Sequence, residues 1–200
     1  MIMKIQKYAV AVAVLTAVSG SAMAATYTSD NGTITFHGMV NNNTCTISMK
    51  NEPLNPQAGN DFNVNLPTVN VADFTTSTAG VDSTLGKTPF TLVVDCAADT
   101  VASASAQFNS WAGTTSNNAG ELVPPANVQG AAKNVSLVLH NDGNTKTDQI
   151  KIDQANDTQS VSLDANGHGQ LDYVVAYVGP ATGVTSGSVQ AQVAFTMNYK

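Results

Sequence analysis

Residues 32–48 read GTITFHGMVNNNTCTIS. The first half alternates as a β-strand does, with Ile34, Phe36 and Val40 on one side and Thr35, His37 and Met39 on the other. Three asparagines follow, then Cys45. A strand ahead of the first cysteine needs a partner, and that partner is either its own domain or another chain.

The segment before it reads as an export signal. Lys4 and Lys7 form a short positive region, YAVAVAVLTAV (8–18) an apolar one, and AMA (22–24) a small-residue cleavage site. The apolar run is too short to span a bilayer, which disfavours a membrane anchor. Residues 1–24 are therefore expected to be removed, and the mature chain to begin at Ala25 and to act outside the cytoplasm.

Composition supports that destination. Charged residues are 11% of the 200, against a usual share of about 25%. Thr, Ser, Asn and Gln must supply the polar surface. There is no arginine, the net charge is -6, and the lysines are scattered. Nucleic-acid binding needs clustered cations to displace counterions, so that class is set aside.

Cys45 and Cys96 are the two cysteines, and an even number in an exported chain favours one disulfide. It would close a loop of about 50 residues, worth about 4 kcal/mol in the chain-entropy picture. Two free or metal-bound thiols remain the alternative, weakened by the lack of a CxxC spacing.

The rest of the chain is β in pattern. FTLVVDC (90–96) reads as a buried strand, and NVSLVLH (134–140) alternates Val135, Leu137 and Leu139 with polar partners. DQIKI (148–152), QSVSL (159–163) and QLDYVVAYV (170–178) follow. In GSVQAQVAFTMNYK (187–200), Val189, Ala191, Val193, Phe195, Met197 and Tyr199 share one face over eleven residues. VASASAQF (101–108) is open between strand and short helix. Asn31-Gly32, Asp142-Gly143 and Asn166-Gly167 are turn dipeptides; EPLNPQAGN (52–60) and TTSTAGVDST (75–84) read as loops. Many short strands with turns between them predict an all-β sandwich.

Candidate chemistry is sparse. His140 stands two residues before Asp142, but no serine lies in a nucleophile elbow, so His140 reads as a strand-end residue. His168 reads as a hairpin tip and His37 as solvated. DANGHG (164–169) lacks the spacing and terminal glutamate of a calcium loop, and no metal or cofactor is expected. Trp111, in FNSWAGTTSNN (108–118), is a candidate sugar-facing residue or a rim residue. Sequons at Asn31, Asn42, Asn134 and Asn156 are expected by chance in so Asn- and Thr-rich a chain.

Several features in order now resemble one family: GTITFHGMV leading into NNNTCTIS, then VNLPTV (64–69), TPFTLVVDC with the second cysteine, and SVQAQVAFTMNYK with tyrosine second from last. The chain resembles the structural pilins of the chaperone–usher pathway, in the type 1 fimbrial major subunit family, along its whole length. The resemblance implies an incomplete immunoglobulin-like β-sandwich that lacks its final strand. A donor strand from a neighbouring subunit completes it, a form of strand addition. It divides the chain into a signal peptide (1–24), a donor-strand extension (25–44) and a pilin domain (45–200).

The same resemblance assigns residues. Gly38 matches the glycine in the middle of the donor strand, with Ile34 and Phe36 before it and Val40 and Asn42 after; Asn42 departs from the apolar pattern. Val189, Ala191, Val193, Phe195 and Met197 would line the acceptor groove, with Cys45, Ile47 and Met49 on the opposite wall. Gly187, the fourteenth residue from the end, with Tyr199 and Lys200, resembles the handle that a periplasmic chaperone grips. The implied partners are identical or related pilins head-to-tail, that chaperone and an outer-membrane usher. The implied destination is the cell surface, in a fimbria supporting adhesion. The major shaft subunit is favoured over a minor adaptor. A self-complemented secreted adhesin or carbohydrate-binding module, with residues 33–42 folded into their own groove, is the alternative, and a secreted hydrolase a distant third.

Overall fold

The computed structural model describes residues 32–39, 45–50, 61–98, 100–142, 149–154 and 159–200. Among them there is no α-helix, and strands carry the architecture. In chain order these are β1 (Gly32–Met39), β2 (Cys45–Met49), β3 (Phe62–Leu66), β4 (Leu85–Cys96), β5 (Ser103–Ser110), β6 (Thr115–Ser116), β7 (Leu122–Val123), β8 (Ser136–Asn141), β9 (Gln149–Ile150), β10 (Ser160–Ser162), β11 (His168–Val178) and β12 (Gln190–Tyr199). The stretch left open between strand and helix is the strand β5. The signal peptide, the loop at 52–60 and most of the extension at 25–44 lie outside the described residues.

Two sheets pack face to face as an immunoglobulin-like β-sandwich. One runs β10-β5-β12-β1-β3; the other runs β2-β4-β11-β8-β7-β6, with β9 also on β8. Strand alternation explains the core between them. The odd residues of β12 point inward: Ala191 and Val193 are fully buried and Phe195 nearly so, while Gln190, Thr196 and Asn198 are exposed. Phe62, Val64 and Leu66 of β3 are buried beside them, and Phe90, Leu92 and Val94 of β4 come from the facing sheet.

Aromatic rings tie the two layers together. The Tyr173 ring of β11 lies 5.3 Å from Phe90 in its own sheet and meets Phe108 of β5 edge-on at 5.0 Å across the core. Edge-on contacts of this kind add about 0.5–1.5 kcal/mol beyond area burial. The Tyr173 hydroxyl is buried with no hydrogen-bond partner among the described residues, and burial pushes its ionisation far above the usual tyrosine range. Cys45 and Cys96 are joined in a disulfide between register-paired residues of β2 and β4.

The β8 and β11 segments depart from simple alternation. Val138, read as outward, is fully buried, and Ala176 and Val178 are buried with it. They form a second, small apolar cluster against Val81 on the outside of the sheet. The loop over 75–84 holds it closed. The Gly179 amide donates to the Thr78 carbonyl, the Thr78 hydroxyl donates back to the Gly179 carbonyl, and the Ser83 hydroxyl donates to the Tyr177 carbonyl at 2.6 Å. His140 Nε2 sits 2.8 Å from the Val81 carbonyl oxygen, so this histidine is a clasp for that loop.

Replacing Tyr173 with Phe keeps both ring contacts and removes only the unpartnered hydroxyl. Urea unfolding should show stability unchanged or raised by up to about 1 kcal/mol. Phe108→Ala, which empties the middle of the core, should cost about 3–5 kcal/mol. A clear loss in Tyr173→Phe would mean that the hydroxyl is bonded in the folded chain.

Candidate functional site

The feature that stands apart is the seat of β1. It lies in the middle of its sheet, between β12 and β3. It runs parallel to β12, from Thr33 opposite Gln190 to Met39 opposite Thr196. It runs antiparallel to β3, from Gly32 opposite Leu66 to Phe36 opposite Phe62. Without β1 the strands β12 and β3 are rails of an empty slot, each with one edge of backbone N–H and C=O groups unpaired. Such a slot is the most demanding kind of strand edge, because both sides are open templates.

The register puts Ile34 opposite Ala191, Phe36 opposite Val193 and Gly38 opposite Phe195. The Phe195 ring stacks on Phe62 of β3 at 6.1 Å between centroids, so two aromatic rings reach each other across the strand that separates their backbones. Opposite Phe195 that strand carries a glycine, the one residue with no Cβ to intrude on the contact. Ile47 sits in the other sheet on β2 and is buried, as are Cys45 and Met49. Val40 and Asn42 lie outside the described residues.

An N-terminal strand thus lies beside the patterned strand β12, over a cystine-linked sandwich. The family model for fimbrial protein matches residues 34–200. The chain belongs to that family. A major fimbrial subunit of Stenotrophomonas maltophilia, SMF-1, is 35% identical over 174 residues, covering 84% of this chain and 92% of its own. The F17 fimbrial protein of Escherichia coli is 30% identical over 201 residues, covering 98% and 99%. This fimbrial protein is thus a structural subunit of a pilus, and its destination is the cell surface.

The remaining residues singled out in the sequence fall at the two ends of β12. Gly187 has φ +155°, and a Cβ there would stand 2.5 Å from the Ala131 carbonyl carbon and 2.6 Å from the Gly130 oxygen. The neighbouring Ser188 bridges Ala131 in parallel. Glycine here permits a close backbone approach, a structural reason that stands beside any recognition role. At the other end the Lys200 oxygen accepts from the amides of Ala102 and Ser103 at 2.7 and 2.9 Å. The Tyr199 hydroxyl is buried with no partner among the described residues, and burial raises its pKa. Beside the start of β12 lies an apolar cavity of about 320 Å³, lined by Val69, Phe74, Tyr177, Val184, Gly187 and Val189 among others.

Sequence reasoning missed β3 as the second rail. Its signal was present in DFNVNLP, where Phe62, Val64 and Leu66 alternate with polar residues. Five residues are too few for period two to stand out from chance.

Other candidate chemistry in the fimbrial subunit does not converge. Among the described residues no three His, Cys, Asp or Glu side chains cluster as metal ligands. His168 pairs with Asp95 at 3.4 Å on an exposed strand end, far along the chain from His140. Trp111 is 48% exposed, on a turn where Ala112 and Gly113 both have positive φ. Asp153 anchors that turn. It accepts from the Ser110 amide at 2.8 Å, the Ser110 hydroxyl at 3.1 Å and the Ser116 hydroxyl at 2.7 Å. Partial desolvation disfavours its charge, but the bonds from Ser116 and Ser110 outweigh it and hold the carboxyl below its usual range.

A carboxylate with a lowered folded pKa contributes stability that is present above its unfolded value, about 3.9, and is lost as pH falls through the folded one. Fluorescence of Trp111, the single tryptophan, should therefore be flat from neutral pH to about pH 4. It should change only below that, and Asp153→Ala should abolish the step. A transition centred well above the carboxylate range would contradict this account of the turn.

Proposed function

We propose that this subunit polymerises by donor-strand exchange. The extension at 25–44 of one subunit fills the slot between β12 and β3 in the next, whose domain spans 45–200. The observation that carries the reading is that the strand completing the sheet comes from the N-terminal extension. A strand so placed is tied to the body only through residues 40–44, so an identical strand from a neighbour presents the same chemistry to the same rails.

The energetics suit a fibre. A strand of roughly ten residues contributes backbone bonds worth about 1 kcal/mol net each. Burial of Ile34, Phe36 and Val40 in a neighbour's core adds about 1.5–3 kcal/mol for each side chain. A head-to-tail contact that does not close on itself gives an open filament. Completing a core between chains also slows unfolding, which suits an exposed fibre. The row Val189, Ala191, Val193, Phe195 and Met197, with Ile47 across the core, forms the acceptor side. Gly187, Tyr199 and Lys200 are the handle for a periplasmic chaperone, an outer-membrane usher assembles the fibre, and the fibre supports cell adhesion. The likeness to a relative named a major fimbrial subunit favours the shaft over an adaptor role.

A second reading has one specific observation in its favour: β1 lies in the slot of its own chain. A permanently self-complemented binding module would look the same and would never assemble. Gly38→Val separates the two. Under donor-strand exchange the domain still melts cooperatively, but surface fibres seen by electron microscopy, and heat-resistant ladders on gels, are lost. Normal fibres from that variant would remove Gly38 from the donor register.

A further inference from the structure

We infer that a cavity outside the sheet that holds β8 and β11 is a binding site for an alkylammonium group, with Glu121 as the residue that receives its charge. The site is built around a carboxylate that the fold leaves without a cation. Glu121 is only 8% exposed. Leu122 pairs with Leu137 and is fully buried in the main core, so Glu121, the residue before it, turns to the opposite side. There the Asn117 Nδ2 donates to one carboxylate oxygen at 2.8 Å. Among the described residues no lysine or histidine pairs with Glu121; the ion pair present is His168 with Asp95, on a distant strand end. A carboxylate taken out of water without a counter-charge is costly, and buried charges are as a rule paired.

The cavity that Glu121 lines has a volume of about 300 Å³ and is shared by Asn134, Ser136, Val178, Pro180 and Ala79. Its polar groups are acceptors. The Asn134 Nδ2 is spent on the Gly183 carbonyl at 2.6 Å, which leaves the amide oxygen. The Gly179 amide, also at the cavity, is spent on the Thr78 carbonyl. With the Ser136 hydroxyl and the Glu121 carboxylate, three side chains can accept, and an ammonium group has three N–H donors. Ala79, Val178 and Pro180 supply an apolar side on which a methylene stem can lie, as the stems of long cationic side chains do.

The same features exclude other ligands. An anion would meet the Glu121 charge. A divalent metal ion needs a larger set of anionic or imidazole ligands, and among the described residues no three His, Cys, Asp or Glu side chains cluster. One carboxylate matches one positive charge on an apolar stem. The chain has no arginine, so lysine is the strong cation that a second copy can offer. A free alkylamine offers the same chemistry.

The test is a titration of the isotope-labelled, full mature chain followed by amide chemical shifts. With n-butylammonium chloride, the amides of Glu121, Ser136 and Gly179 should shift and saturate. n-Butanol, with the same stem and no charge, should leave them in place. Glu121→Gln keeps an acceptor for Asn117 and removes the charge, so the response should be lost. Ala79→Leu, in an exposed loop, narrows the apolar side with the carboxylate intact and should weaken it. Adding unlabelled copies distinguishes the two sources. Shifts at the same amides that vanish once the lysines of those copies are acetylated make the ligand a lysine of a second copy. No response to copies, with n-butylammonium still bound, makes it a free amine, and either result upholds the site. The inference is overturned if n-butylammonium gives no saturable shift, if Glu121→Gln responds as the unaltered chain does, or if sodium chloride alone produces the same shifts.

Discussion

The two backbone ladders of β1 are the constraint on which the rest depends. β12 and β3 each expose one edge to the slot, and β1 is the strand between them. Their buried side chains need a strand there as much as their backbones do. Phe195 and Phe62 meet across it, and Ala191 and Val193 are fully buried beneath the same sheet. Leaving the slot empty would expose both a core and two rows of hydrogen-bonding groups, a cost no small sandwich can carry within a total stability of about 5–15 kcal/mol. A fimbrial subunit built this way is coupled to whichever strand fills it.

The rest of the fold holds the rails in place. The Tyr173, Phe90 and Phe108 cluster fixes the facing sheets, and the cystine fastens the first strand of the body to β4. Outside the second sheet, the loop over 75–84 covers Val138, Ala176 and Val178, so that sheet is buried on both faces over its central strands. The lower charge content of the chain accords with a surface built from hydroxyl and amide side chains.

Much of this was legible in the sequence where period two ran long enough. The eleven alternating residues from Val189 to Tyr199 gave β12 and its buried row without ambiguity, and the two cysteines of an exported chain gave the disulfide. Legibility failed where burial depends on distant chain. Val138 and Ala176 alternate outward, and only the loop clasped by Ser83 and His140 makes them core. β3 was too short to announce itself, although half the slot depends on it. The direction of β1, parallel to β12, was not readable at all, because period two marks the faces of a strand and not the direction of its neighbour. The role of Gly187 in the backbone approach to Gly130 and Ala131 was hidden because those residues are distant in the chain.

The most direct measurement is a thermal melt of a chain beginning at Cys45, alone and with a synthetic peptide of residues 31–44. If the slot is a missing piece of the core, the shortened chain melts low. The peptide then raises the midpoint strongly and slowly, and a peptide with valine in place of Gly38 does not. A shortened chain that is stable alone and indifferent to the peptide would mean that the sandwich is complete without β1, and that the strand is no more than a tail.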